Sequence, residues 1–120
     1  MSDDGFEALR RAAIRFRDER DWAQFHNPKD LAMGLSIEAA ELAELFLWKT
    51  PDEAREALED DALRARLADE MADVQIFLLY LADAAGIDLP QAVREKIEKN
   101  AAKYPVERSK GSAAKYTDYL

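Results

Sequence analysis

Apolar side chains recur three and four residues apart along almost the whole chain. No run alternates apolar and polar residues between turn signals, so the pattern predicts helices and no sheet. The first helix is expected from about Phe6 to Arg20, burying Leu9, Ala13, Ile14 and Phe16. After the loop "DWAQFHNP", Asn27 and Pro28 read as N-cap and first helical residue, because the amide that Pro lacks would be unpaired there anyway. The second helix then runs from about Pro28 to Lys49. "TPDE" at 50–53 is a capping box, with Thr50 as the cap and Glu53 reaching back. A third helix runs from there to Ala85, with a break admitted near Asp60 and Asp61, and Gly86 suits the residue after its end. Asp88 caps a fourth, with Gln91 at the third helical position, and the fourth ends near Tyr104 because Pro105 cannot continue it. The expected fold is all-α: a bundle of four main helices in a single domain over 1–120, with a partly ordered tail from about residue 105.

The 120 residues are 48% apolar, enough for one core, and 35% charged, enough to solvate its surface. Cys is absent, so disulfides and thiolate metal sites are excluded. The start "MSDDGFEALRRA" has no apolar leader, and the longest apolar run, "VQIFLLYLADAAG", is too short to span a bilayer. A cytoplasmic location and no membrane partner are expected. The net charge of -8 argues against a nucleic-acid polymer as partner. The charge is unevenly placed: residues 94–115 hold seven Lys and Arg against three acids, a local +4 that leaves about -12 elsewhere. A basic end beside an acidic body suits a small polyanion, and it equally describes a solvated helix with a basic tail.

Acids inside the most apolar helices change the picture. In "IEAAELAELFLWK", residues 37–49, a helical wheel puts Glu38 and Glu41 on one narrow stripe with Trp48, and Glu44 to one side. "DEMADVQIFLLYLAD" repeats the pattern: Glu70 and Asp73 are followed on their stripe by Phe77 and Tyr80. Like charges three residues apart repel, and a lone pair of this kind is usually a water-facing stripe. Two such pairs on neighbouring helices would bring four carboxylates together, and a divalent cation would offset the cost of removing them from water. Oxygen donors select Mg2+, Mn2+ or Ca2+ over zinc. A di-iron bundle calls for Glu-x-x-His pairs, whereas the one His, His26, has no acid three residues before it.

Two further sets are polar or aromatic where a site could use them. Lys96, Asn100 and Lys103 share one face of the fourth helix, with Tyr104 adjacent, and Lys is a point-charge partner for phosphate. Trp22, Phe25 and His26 stand in a loop, where they either plug the core or stack on a base. Metal-binding acids, cations and aromatics together suit a nucleoside polyphosphate.

The segments "WAQFHNPKDLAMGLSIEAAELAELFLWK", "DEMADVQIFLLYLA", "DLPQAVREKIEKNAAKYPV" and "GSAAKYTDY" resemble, in order, the MazG-like all-α nucleoside triphosphate pyrophosphatases, and most of all their dCTP pyrophosphatase branch. The resemblance covers about Ile14 to Tyr119. It implies Mg2+-dependent hydrolysis of a (deoxy)nucleoside triphosphate, dCTP or a modified dCTP, to the monophosphate and pyrophosphate, a house-cleaning activity in which Mn2+ could substitute. Glu38, Glu41, Glu70 and Asp73 match the metal-binding acids, with Glu38 or Glu41 also catalytic. Trp22, Gln24, Phe25, His26, Trp48, Phe77, Lys96, Asn100, Lys103 and Tyr104 match substrate-contacting segments. A dimer or dimer of dimers is implied too. Ala13 stands where the family often has His and Phe77 where it has Tyr, which leaves base preference open, while Lys103 stands where Arg is usual, which keeps the charge and loses the bidentate fork. The same fold acting on dUTP or another nucleotide, and a helical interaction module without activity, are the alternatives.

Overall fold

In a computed structural model, residues 5–111 and 113 are described. They form six α-helices and a short 3-10 turn: α1 (Phe6–Glu19), the turn (Ala23–Phe25), α2 (Pro28–Glu44), α3 (Pro51–Ala57), α4 (Asp61–Ala85), α5 (Leu89–Lys103) and α6 (Val106–Ser109). Among the described residues there is no strand, and no single helix is long and apolar enough to cross a membrane. The chain divides into two compact units, Met1–Gly86 and Ile87–Leu120. Most of the tail motif "GSAAKYTDY", including Lys115 and Tyr119, lies outside the described residues.

The first unit is built on α2 and α4, which pack together as an antiparallel pair. Gly34 early in α2 faces Phe77 late in α4, while Glu38 and Glu41 further along α2 meet Glu70 earlier in α4. The most buried side chains, Leu31, Leu45, Leu79 and Tyr80, come from these two helices and the turn after α2. α1 is fastened to α4 by polar contacts: the Tyr80 hydroxyl donates to the Ala13 carbonyl at 3.0 Å, and Arg17 pairs with Asp83 at 2.9 Å. Arg10 reaches the same carboxylate at 3.6 Å.

Side chains set the helix ends. Asn27 accepts from the Asp30 amide at 2.9 Å, and Asp60 from the Ala62 amide at 3.0 Å. The box at α3 is complete: Thr50 Oγ1 accepts from the Glu53 amide at 3.1 Å, and Glu53 accepts from the Thr50 amide at 3.2 Å. Gly86 ends α4 at φ 67, a left-handed conformation that costs glycine little.

Two sequence expectations need correction, and a third is borne out. The second helix stops at Glu44, not Lys49. The chain leaves it through turns closed by Phe46 N–H to the Ala43 carbonyl (3.1 Å) and Lys49 N–H to the Phe46 carbonyl (3.0 Å). Buried Leu45 anchors that corner, and Pro51 biases Thr50 toward the extended backbone it adopts. The break admitted in the third helix is present: α3 ends at Ala57, and Asp60 caps the start of α4. Leu9 and Phe16 are about half exposed, since they face an open cavity and not a closed core.

In the second unit, Asp88 accepts from the Gln91 amide at 3.1 Å to start α5, while the Gln91 side chain turns to Glu95 at 3.0 Å and does not complete a box. Tyr104 closes α5, its amide donating to the Asn100 carbonyl at 2.8 Å, and Pro105 opens the turn of α6. Val93 and Ile97, one turn apart on α5, are exposed.

Candidate active site

The antiparallel register of α2 and α4 turns two separate acid pairs into one cluster. Carboxylate oxygens of Glu38, Glu41 and Glu70 all lie within 4.8 Å of one another. Glu38 and Glu70 are half-buried, and each has a buried Oε2 with no hydrogen-bond partner. Burial raises the Glu38 carboxyl above its ordinary range. A hydrogen bond shared with Glu41 and the charges of Glu41, Asp73 and Glu70 push the same way. Burial likewise raises Glu70, reinforced by the charges of Glu41 and Asp73 and by Glu41's hydrogen bond, with Arg66 opposing. Asp73 is exposed and outside the tight triad, yet near enough for its charge to act on both.

Orphaned carboxylate oxygens in a repulsive cluster are costly unless a cation fills the space between them. The donors are all oxygen, which fits a hard divalent ion and not a thiolate- or imidazole-bound one. Glu44, exposed at the end of α2, takes no part in the triad.

Beside the acids lies a cavity of about 710 Å3 with a mostly apolar wall. Asp73 belongs to its lining, and Phe16, Trp22, His26, Phe77 and Tyr80 supply its rings. Trp22 meets Phe16 edge-on at 5.7 Å, Phe77 meets Tyr80 edge-on at 6.5 Å, and the His26 and Tyr80 rings are 4.8 Å apart. His26 Nδ1 is buried and unpartnered. Burial, then the charge of Arg17, holds the His26 pKa below its usual value, so the ring is neutral near pH 7. Tyr80, by contrast, has committed its hydroxyl to the Ala13 carbonyl. A cavity of this size and character, with few polar groups and a carboxylate at its edge, is what a nucleoside-sized ligand needs.

Of the other sequence candidates, Gln24 and Phe25 are exposed on the 3-10 turn, outside the cavity lining. Gln24 donates to the Asp21 carbonyl at 3.1 Å and to its carboxylate at 3.0 Å. Trp48 is not on the Glu38–Glu41 stripe: the helix has ended, and the residue sits at φ 73, 93% exposed. Lys96, Asn100 and Lys103 on α5, with Tyr104 at its cap, belong to the second unit and are exposed. Sequence reasoning undervalued Tyr80, Leu9 and Phe16 as cavity walls. Tyr80 carried a signal, its place on the Glu70–Asp73 stripe. The other two had none, because an apolar residue facing a cavity looks like one facing a core.

The chain matches the MazG-like family over residues 34–119. Over 112 residues it is 47% identical to dCTP pyrophosphatase 1 of Mus musculus, covering 93% of this chain and 66% of that protein. Over 117 residues it is 45% identical to dCTP pyrophosphatase 1 of Bos taurus, covering 98% and 69%. It therefore spans about two thirds of the length of these relatives. The crystal structure of a pyrophosphatase from Archaeoglobus fulgidus shares its fold with a TM-score of 0.77 at 46% identity, covering 82% of this chain and 91% of that one. With a family match over residues 34–119, most of its length, the chain belongs to the MazG-like family.

Proposed function

We propose that the chain is a nucleoside triphosphate pyrophosphohydrolase, directed to dCTP or a modified dCTP, that releases the monophosphate and pyrophosphate. The observation that carries this reading is the Glu38–Glu41–Glu70 triad with its two unpartnered oxygens, set beside an aromatic cavity that Asp73 also lines. The names of the relatives direct it to dCTP. The family match runs through both units, which supports their acting as one catalytic domain.

Glu38, Glu41, Glu70 and Asp73 would hold Mg2+, or Mn2+ in its place. When bound, the ion supplies charge neutralisation at the phosphate oxygens and a more acidic water. Glu41, the exposed member of the triad, or half-buried Glu38 one turn before it, would take the proton of the attacking water. Water then adds across the anhydride between the α and β phosphorus, and pyrophosphate leaves. Trp22 and Phe77 offer ring faces and edges to the base, and neutral His26 offers Nδ1, which can donate or accept. Gln24 and Phe25 shape the loop that carries Trp22 and His26. Lys96, Asn100, Lys103 and Tyr104 are the proposed phosphate partners, on grounds of charge and hydrogen-bonding capacity.

A homo-oligomer, dimer or tetramer, is part of the proposal. Met33 and Ile37, one turn apart on α2, Met71 on α4 and Trp48 are large apolar side chains left more than half exposed, area that a second copy would cover. A substrate of this class is met in the cytoplasm, which is where the proposal puts the chain. The test is pyrophosphate release from dCTP with Mg2+, across a panel of dNTPs and NTPs with product identification. No turnover of any nucleotide and no Mg2+-dependent thermal stabilisation would favour an interaction module instead.

A further inference from the structure

The wall of the cavity is set by a residue that does not line it. Gly34 stands inside α2, where glycine is a poor helix former, so its presence asks for a packing reason. A Cβ built there would lie 2.8 Å from Cζ and 3.1 Å from Cδ1 of Phe77, and nearer still to Cε1. All three atoms lie along one edge of one ring, and that ring lines the cavity. Tyr80, edge-on to Phe77 at 6.5 Å, is buried and held by its hydrogen bond to the Ala13 carbonyl, so it cannot give way readily. A methyl group at position 34 is therefore accommodated by the Phe77 ring leaving α2, with the open cavity as the space that receives it.

We propose that Gly34 is a positioning residue for nucleotide binding: without a Cβ it lets Phe77 lie back on α2, and so fixes the width of the space for the base. The inference rests on the function proposed above. It separates affinity from chemistry, because the ring moves in the cavity while Glu38 and Glu41 stay, one and two turns further along α2, with Glu70 facing them from α4.

Gly34→Ala, Phe77→Leu and the double variant are compared with the wild type. Pyrophosphate release from dCTP at saturating Mg2+ gives kcat and KM, and calorimetric titration with a non-hydrolysable α,β-imido dCTP gives Kd. Gly34→Ala is expected to raise KM and Kd about tenfold, the effect of a methylene-sized misfit in a pocket, with kcat within about twofold and the fold intact. In the Phe77→Leu background the same substitution is expected to change both by less than about twofold, because the ring atoms it strikes are gone. Unchanged KM and Kd in folded Gly34→Ala, or an equal rise in both backgrounds, would overturn the positioning role. If Gly34→Ala does not fold, the double variant decides: recovery of the fold with the KM of Phe77→Leu supports the contact, and no recovery overturns it. A wild type that neither binds nor hydrolyses any nucleotide overturns the proposed function, and this inference with it.

Discussion

The Tyr80 hydroxyl donates to the carbonyl of Ala13 at 3.0 Å, joining the later part of α4 to the middle of α1 between two residues that line the cavity. Tyr80 is buried, so its hydroxyl has no ready water to turn to. Removing it in Tyr80→Phe leaves no orphaned donor, and the Ala13 carbonyl keeps its place in the helix. The expected cost is about 1 kcal/mol of unfolding free energy, read from urea denaturation. KM should rise more than kcat falls, because the contact positions a cavity wall and touches none of the acids.

The acid triad predicts opposite responses with and without metal. In metal-free protein Glu70→Gln removes a repulsive charge and should raise the melting temperature. With millimolar Mg2+ the wild type should gain stability and the variant should gain little. Glu41→Gln should lower kcat by at least about a hundredfold as a proton acceptor is lost. Undiminished turnover in that variant would remove the proposed centre.

The pH dependence of metal-free stability follows from the shifted groups. Folded Glu38 and Glu70 retain protons that the unfolded chain has lost once the pH passes the ordinary value of 4.5, so rising pH favours unfolding there. His26 behaves oppositely. Its folded pKa is depressed, so below 6.5 the unfolded chain binds a proton that the folded chain refuses, and falling pH favours unfolding. Urea midpoints measured across this range should show a weaker decline with rising pH in Glu70→Gln, and a weaker decline with falling pH in His26→Gln.

Trp48 separates backbone strain from binding. A bulky residue at φ 73 is strained, and at 93% exposure its side chain contributes no burial to the chain. Trp48→Gly should therefore keep or raise chain stability, by up to about 1 kcal/mol, while weakening nucleotide binding if the ring is a wall of the pocket. A variant that loses stability and keeps full affinity would give Trp48 a structural role.

The cap at α3 offers a local control. Thr50→Ala removes the side-chain half of the box, the Oγ1 that accepts from the Glu53 amide, and should cost about 1 kcal/mol, with no change in KM, because neither Thr50 nor Glu53 belongs to the triad or the cavity lining.

The sequence by itself determined the helices and most of their ends, because caps act within a few residues: Asn27, Thr50, Asp60, Gly86 and Asp88 all stand at observed boundaries. It also marked the acids, since carboxylates three residues apart in an otherwise apolar helix have few local explanations. It misplaced Trp48 because helical periodicity was carried past Glu44. Nothing local stops the helix there; the corner depends on buried Leu45 and the approach to Pro51. Only the tertiary structure decided which acids meet. The antiparallel register of α2 against α4 sets Glu70 against Glu38 and Glu41 and leaves Asp73 at the cavity edge. It also decided that Phe77 rests on Gly34, a contact between residues 43 positions apart that no periodicity announces. Caps and stripes are properties of one helix, whereas a cluster or a cavity is a property of two helices held in register by packing.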